Sequence, residues 1–404
     1  MLWRLRSFRL MKYFIFLLVL PHLQPDSVDY LWPICELLFN IGRIASALVV
    51  ICLFIWKRRI PSPPIFVLAA IHGLILFSTC VNGVEIWDAA IGAVSSLVVT
   101  CLVDILVDRA AILIRSLMLN LEWLIYGNFI SILLYYPDGM YVRREYSGAC
   151  YFLGYRNGFF QYVLLAILIA VLYAHIEKKK FRSFCLMVAG YLSVLITWSA
   201  TSIAALTLVA VLLLPSKKQR RWMTFSFIFT ASMAANLAVS VFRVMERVPW
   251  VGRLIEKVLR KNVSLTGRTY IWDQFYKKFL KHPFLGYGAE PQFKLPFGGH
   301  ELYGAHNQYF ELLTIGGLFT LLLFWVFNFM AGRKLDRCGD VEIRCSFLAV
   351  LSGLYVIYIA EAYFMPLECM LMMLAYHADK FAGVPGPTTR RLRFVIKRGD
   401  HVTN

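Results

Sequence analysis

The sequence predicts an all-α polytopic membrane protein of about twelve transmembrane helices, with one large, partly helical outer loop. Three observations carry this. Apolar residues fill 59% of the 404 positions and charged residues only 16%, against about 45–50% and 25% in soluble domains. Mean hydropathy is +0.63. Lys and Arg outnumber Asp and Glu 42 to 24, a formal charge of +18, and that charge is unevenly placed. So much apolar surface cannot be hidden in water, which excludes a soluble enzyme, a disordered chain and a disulfide scaffold.

Apolar runs near twenty residues read as spans. They fall at 11–23, 34–56, 65–82, 88–107, 117–136, 158–176, 183–198, 200–214, 222–242, 306–330, 345–364 and 367–383. The first, Met11 to Leu23, is barely long enough. No small-residue cleavage site follows Leu20, so it reads as a span rather than a removed signal. One apolar block, Ser183–Leu214, divides at Thr197-Trp198-Ser199, where polar side chains permit a tight turn. Residues 1–242 thus hold spans one to nine and 306–383 hold spans ten to twelve. Between them lies an outer loop, 243–305, and a basic tail, 384–404, ends the chain.

Basic residues set orientation. With the N-terminus cytoplasmic, 27 of the 42 fall on the inner side, in clusters such as Lys57-Arg58-Arg59, Lys178-Lys179-Lys180 and the tail. Both termini are then cytoplasmic. The short outer loops 24–33, 83–87 and 197–201 carry no Lys or Arg. The remainder is Arg43 inside a span, Arg143, Arg144 and Arg156 in outer loop 137–157, and eleven basic residues in 243–305. Five acids share that last loop, leaving about +6. Long loops escape the positive-inside rule, so this is either a solvated basic face or a site for an anionic substrate. The nine cysteines include no CxxC pair and read as small apolar packers.

The loop 243–305 is not linker-like. Trp250 to Arg260 has the pattern of an amphipathic helix lying on the membrane. A second helix runs from Arg268 to Lys281, with Ile271, Phe275 and Phe279 on one face, Thr266 as a possible cap and Pro283 as a stop. Gly286 and Gly288 permit a tight turn beyond it. Within the spans, Glu36, Asn40 and Arg43 share one face, either as an internal network or as part of a substrate cavity, and Glu361 near the end of the eleventh span is open in the same way.

Three pieces in order, Gly267-Arg268-Thr269-Tyr270-Ile271-Trp272, His282-Pro283-Phe284-Leu285-Gly286-Tyr287-Gly288 and His306-Asn307 followed by Gly316-Gly317, resemble the O-antigen ligase/polymerase family of bacterial surface-polysaccharide enzymes. Leu153-Gly154-Tyr155-Arg156-Asn157 resembles a further segment of that family. The resemblance implies a fold similar to other lipid-dependent, GT-C-like glycosyltransferases. It implies a metal-independent transferase in the bacterial cytoplasmic membrane with an extracytoplasmic site. The donor would be an oligosaccharide on polyprenyl pyrophosphate and the acceptor a glycan. By the same likeness Arg268 would bind pyrophosphate and His306 would be the base, with Arg156, Asn157, Asn307, Gly286 and Gly288 as substrate-binding candidates; Arg43 and Glu361 join them as ionisable groups inside spans. No cofactor, metal or nucleic acid is implied. Partners would be membrane lipid and could extend to a chain-length regulator or flippase of the same pathway.

The chemistry is coherent. A leaving pyrophosphate develops charge that a guanidinium stabilises, and a histidine can take a proton from a sugar hydroxyl near neutral pH. Read without the resemblance, His306 is also an ordinary interfacial histidine, His282 a structural cap before proline, and Arg268 one basic residue among eleven. Ligases of the family often place an arginine at the outer turn of the seventh and eighth spans. Here Thr197–Ser202 has none, which favours a chain-extending polymerase over a ligase. A lipid-linked saccharide flippase is the alternative of another class, although no repeat of one half in the other is visible.

Overall fold

A chain with no water around it must satisfy every backbone N–H and C=O internally, so apolar runs become helices. The computed structural model describes residues 2–143, 148–214, 223–248, 268–289, 294–297, 300–363 and 366–383, and each of the twelve apolar stretches contains a helix. In chain order these are α1 (Leu2–Val19), α3 (Pro33–Lys57), α4 (Pro63–Val81), α5 (Trp87–Leu106), α6 (Ala110–Tyr135), α7 (Phe160–Glu177), α8 (Lys180–Ile196), α9 (Ala200–Leu213), α10 (Phe225–Asn236), α13 (Gln308–Asp336), α14 (Val341–Tyr358) and α15 (Pro366–Tyr376). Shorter or peripheral helices are α2 (Asp26–Leu31), α11 (Val244–Arg247), α12 (Arg268–Lys281) and α16 (Ala378–Ala382).

Among the described residues six runs are long and apolar enough to cross a membrane: Pro33–Lys57, Pro63–Val81, Trp87–Tyr135, Phe160–Glu177, Gln308–Asp336 and Val341–Tyr358. The third joins two expected spans, separated only by a 3-10 turn at Val107–Arg109. Other expected spans are short; α9 has 14 residues and α15 has 11. The twelfth expected span, 367–383, breaks at His377, whose Nε2 bonds to Asp104 Oδ1 at 2.9 Å. The turn at Thr197-Trp198-Ser199 does separate α8 from α9, with Trp198 in the left-handed region (φ 52).

Two small sheets were not legible in the sequence. Strands β1 (Tyr141–Val142), β2 (Ala149–Tyr151) and β3 (Gly154–Tyr155) form an antiparallel sheet in the loop 137–157. Strands β4 (Lys294–Phe297) and β5 (His300–Tyr303) form a hairpin. Two to four residues are too few for a period-2 pattern to register. The amphipathic pattern 250–260 and Thr266 lie outside the described residues.

Helices α7, α14 and α15 are buried along most of their length, whereas α3 is peripheral and turns Ile34, Leu38, Ile41, Ile44 and Leu48 outward. An apolar face with no protein against it suits lipid. Cys150, Cys338, Cys345 and Cys369 are buried packers as expected, but Cys52 and Cys80 are exposed on α3 and α4.

One break in α13 organises the site. Gly317 adopts φ 71 and ψ −170, which interrupts the helix and frees carbonyls at Thr314 and Ile315. The turn after α12 fills this gap. Tyr287 N donates to Thr314 O at 2.7 Å and Gly288 N to Ile315 O at 3.0 Å, while Leu318 N donates to Pro283 O at 2.8 Å. Freed backbone acceptors thus find donors without water. The approach is so close that a Cβ on Gly286 would lie 2.3 Å from Thr314 O and one on Gly288 2.6 Å from Thr79 Cα.

Candidate active site

The loop beyond α13's N-terminus is locked by polar side chains. Asn307 caps the helix: its Oδ1 accepts from Tyr309 N (3.0 Å) and Phe310 N (3.2 Å), and its Nδ2 donates to Asn236 Oδ1 (2.7 Å) and Ile359 O (3.2 Å). Glu311, one turn into α13, reaches back so that Oε2 accepts from Ala305 N at 2.7 Å. Between these two anchors His306 is held at φ 47, a left-handed conformation costing a non-glycine residue about 1 kcal/mol. A small separate core of Ile271, Trp272, Phe275, Ala305 and Phe310 packs α12 against this loop.

Glu361, just past α14, is the meeting point. Its Oε1 accepts from Arg268 Nη2 at 2.6 Å and from Asn157 Nδ2 at 2.8 Å. Its Oε2 faces His306 Nδ1 at 3.2 Å. Burial alone would push this carboxyl up, but Arg268 and His306 beside it, with the Asn157 bond, hold it below its ordinary value. An ionised carboxylate only accepts, so Nδ1 carries the imidazole proton. Nε2 is then a lone-pair acceptor, and it has no hydrogen-bond partner among the described residues.

Asn157 is itself fixed. Its Oδ1 accepts from Ser199 Oγ at 2.9 Å, and Ser199 Oγ lies 2.7 Å from Ser202 Oγ. Its carbonyl accepts from the Tyr363 hydroxyl, and Tyr363 N donates to Gln308 Oε1. The serines at the α8–α9 turn therefore support Asn157.

A cavity of about 720 Å³ opens on this cluster, and His306, Asn157, Glu361 and Glu311 line it. Arg268 is one hydrogen bond behind its wall, through Glu361. Arg43 lines it too, held by Pro21 O (3.1 Å), Asn40 Oδ1 (2.5 Å) and Gln24 Oε1 (2.6 Å), so it is both network and cavity wall. Four candidates stand elsewhere. Gly286 and Gly288 seat the turn against α13 and α4 and do not line the cavity; nor does Asn307, a buried helix cap. Arg156 stacks on the Tyr155 ring at 5.7 Å, outside that lining. Sequence reading passed over Glu311, although an acid in the first helical turn behind an Asn cap was a usable signal. Among the described residues no group of three or more His, Cys, Asp or Glu is arranged to hold a metal.

Comparison with known families bears on this cluster directly. Residues 184–325 match the O-antigen ligase family. The motif resemblance is thereby shown. No curated protein matches the chain. The matched region contains Arg268, His306 and Glu311, while Asn157 and Glu361 lie outside it and join the site only in the fold. An O-antigen ligase match beside helices long and apolar enough to cross a membrane supports a multi-pass membrane enzyme of the ligase/polymerase type. Lipid-linked oligosaccharide and glycan acceptor are the substrates this family implies.

Proposed function

We propose that this enzyme transfers an oligosaccharide from polyprenyl pyrophosphate to a glycan hydroxyl at the outer face of a bacterial cytoplasmic membrane, as a surface-polysaccharide polymerase of the GT-C-like class. The observation that supports this most is the Arg268–Glu361–His306 cluster at the cavity. His306 Nε2 takes the proton of the acceptor hydroxyl. The hydroxyl oxygen bonds to the donor's anomeric carbon as the bond from that carbon to the phosphate oxygen breaks. The electron pair leaves with the pyrophosphate. Arg268 uses one terminal nitrogen on Glu361, and its charge stabilises the leaving pyrophosphate from just behind the cavity wall, at the N-terminus of α12, itself favourable to anions. Glu361 offsets the imidazolium until solvent removes its proton.

In this scheme positive charge comes from arginine, so turnover should need no divalent metal. Loss of turnover on EDTA treatment with recovery on magnesium would overturn it. Polymerase is favoured over ligase because the α8–α9 turn presents Ser199 and Ser202, which are occupied with Asn157, and no arginine. Deleting the protein and resolving surface glycans on a gel checks this. A single repeat retained with long chains lost means polymerase; long chains accumulating on the lipid carrier mean ligase. Turnover in detergent without a sealed vesicle excludes a flippase.

A further inference from the structure

The cavity has a second wall that the transfer chemistry does not use. It is formed by the turn after α1, by α2, by one face of α3 and by the start of α5, all outside residues 184–325. Two of its side chains, more than nine-tenths buried, carry polar atoms without a hydrogen-bond partner among the described residues: His22 Nδ1 (residue 5% exposed) and Ser95 Oγ (3%).

Their chemistry can be assigned. Ser46 Oγ donates its one proton to Leu18 O at 2.9 Å, so toward His22 Nε2, 3.1 Å away, it can only accept. His22 therefore carries its proton on Nε2 and presents Nδ1 as a bare acceptor. Ser95 offers one donor and an acceptor. Around them the wall is rich in acceptors. Glu36 and Asp88 form no hydrogen bond or salt bridge among the described residues, and Arg43, the arginine on this wall, already gives three of its five N–H groups to Pro21, Asn40 and Gln24. Buried polar atoms left unmet are costly, and both of these are matched by hydroxyl groups. A pyrophosphate or a uronate, by contrast, would meet the two carboxylates Glu36 and Asp88 against the single cation of Arg43.

We infer that this wall is the acceptor subsite, built for the hydroxyls of a neutral or amino-bearing sugar and closed to acidic sugars. The arrangement separates the two substrates by charge. The donor's pyrophosphate belongs beside Arg268, the acceptor ring lies against Ser95 and His22, and the reacting hydroxyl reaches His306 between them. The assignment of the sugar as acceptor rests on the transfer reading above; the binding preference does not.

The test is saturation-transfer NMR on the purified full chain in detergent, with lactose, glucosamine and digalacturonate as probes. Lactose and glucosamine should bind, and digalacturonate at least about tenfold more weakly. Ser95→Val should weaken lactose about tenfold, the scale of one lost hydrogen bond with its partner left buried. Glu36→Gln combined with Asp88→Asn, a change on exposed and half-buried positions with little risk to folding, should bring digalacturonate close to lactose. Equal binding of lactose and digalacturonate by the unmodified protein would overturn the subsite, as would an unchanged digalacturonate affinity in the double variant. The two readings fail separately. Probe selectivity without transfer from a polyprenyl-pyrophosphate donor leaves the subsite standing and removes the transfer reading. Transfer with three probes binding alike does the reverse.

Discussion

Two buried carboxylates in this protein are built from the same parts. Glu361 gathers Arg268, His306 and Asn157. Asp104 gathers His377 at 2.9 Å, Arg59 at 3.5 Å and the Ser62 hydroxyl at 2.5 Å. They sit at the two ends of α15, which begins at Pro366 and stops at Tyr376, about 16 Å of helix. The difference is access. Asp104 is fully buried, His377 is nearly so, and neither lines the cavity. His306 keeps about a third of its side chain exposed, at 34%, and lines it. The same chemistry closed on itself ties α4, α5 and α15 together. Opened to a cavity, with an unpartnered ring nitrogen, it can move a proton.

Breaking the two clusters should therefore give opposite results. Glu361→Gln keeps the shape but removes the charge that orients His306 and offsets its cationic form. Turnover should fall about 10²-fold with folding largely intact, measured as initial rate against a thermal-shift curve. Arg268→Lys keeps the charge but loses the planar fork, and should slow transfer about tenfold. Asp104→Asn should do the reverse. It leaves His377 without its carboxylate partner and Arg59 with Asp108 alone, and should destabilise the fold by about 3 kcal/mol, while turnover per folded molecule stays near that of the unmodified protein. The smallest effect is on pH. Glu361's carboxyl is held below its ordinary value of 4.5. Its contribution to stability is therefore fully present above pH 4.5 and is lost as pH falls through the lower folded value. Thermal unfolding followed from pH 7 to 3 should show an acid destabilisation that Glu361→Gln reduces.

Local pattern made much of this legible. Apolar runs located every long helix, and the cap-and-stop signals placed α12 from Arg268 to Lys281. Arg268, His306 and Glu361 could each be singled out as residues, but their meeting could not. Glu361 is 93 positions from Arg268 and 204 from Asn157, and no periodicity reports such a contact. The glycines misled for a related reason. Gly286 and Gly288 form the tight turn their sequence suggests, but as substrate-binding candidates they fail, because their purpose lies in backbones that approach from α13 and α4. The broken end of α15 was hidden because His377 looks apolar-compatible until Asp104, 273 positions away, is placed beside it.

The most direct test compares the two histidines. His306→Ala and His377→Ala, purified in detergent, would be assayed for transfer from a polyprenyl-pyrophosphate oligosaccharide. The account predicts that His306→Ala loses at least about 10²-fold in turnover with an unchanged melting temperature, and that His377→Ala keeps turnover per folded molecule while melting lower. Normal polymer from the His306 variant would contradict it.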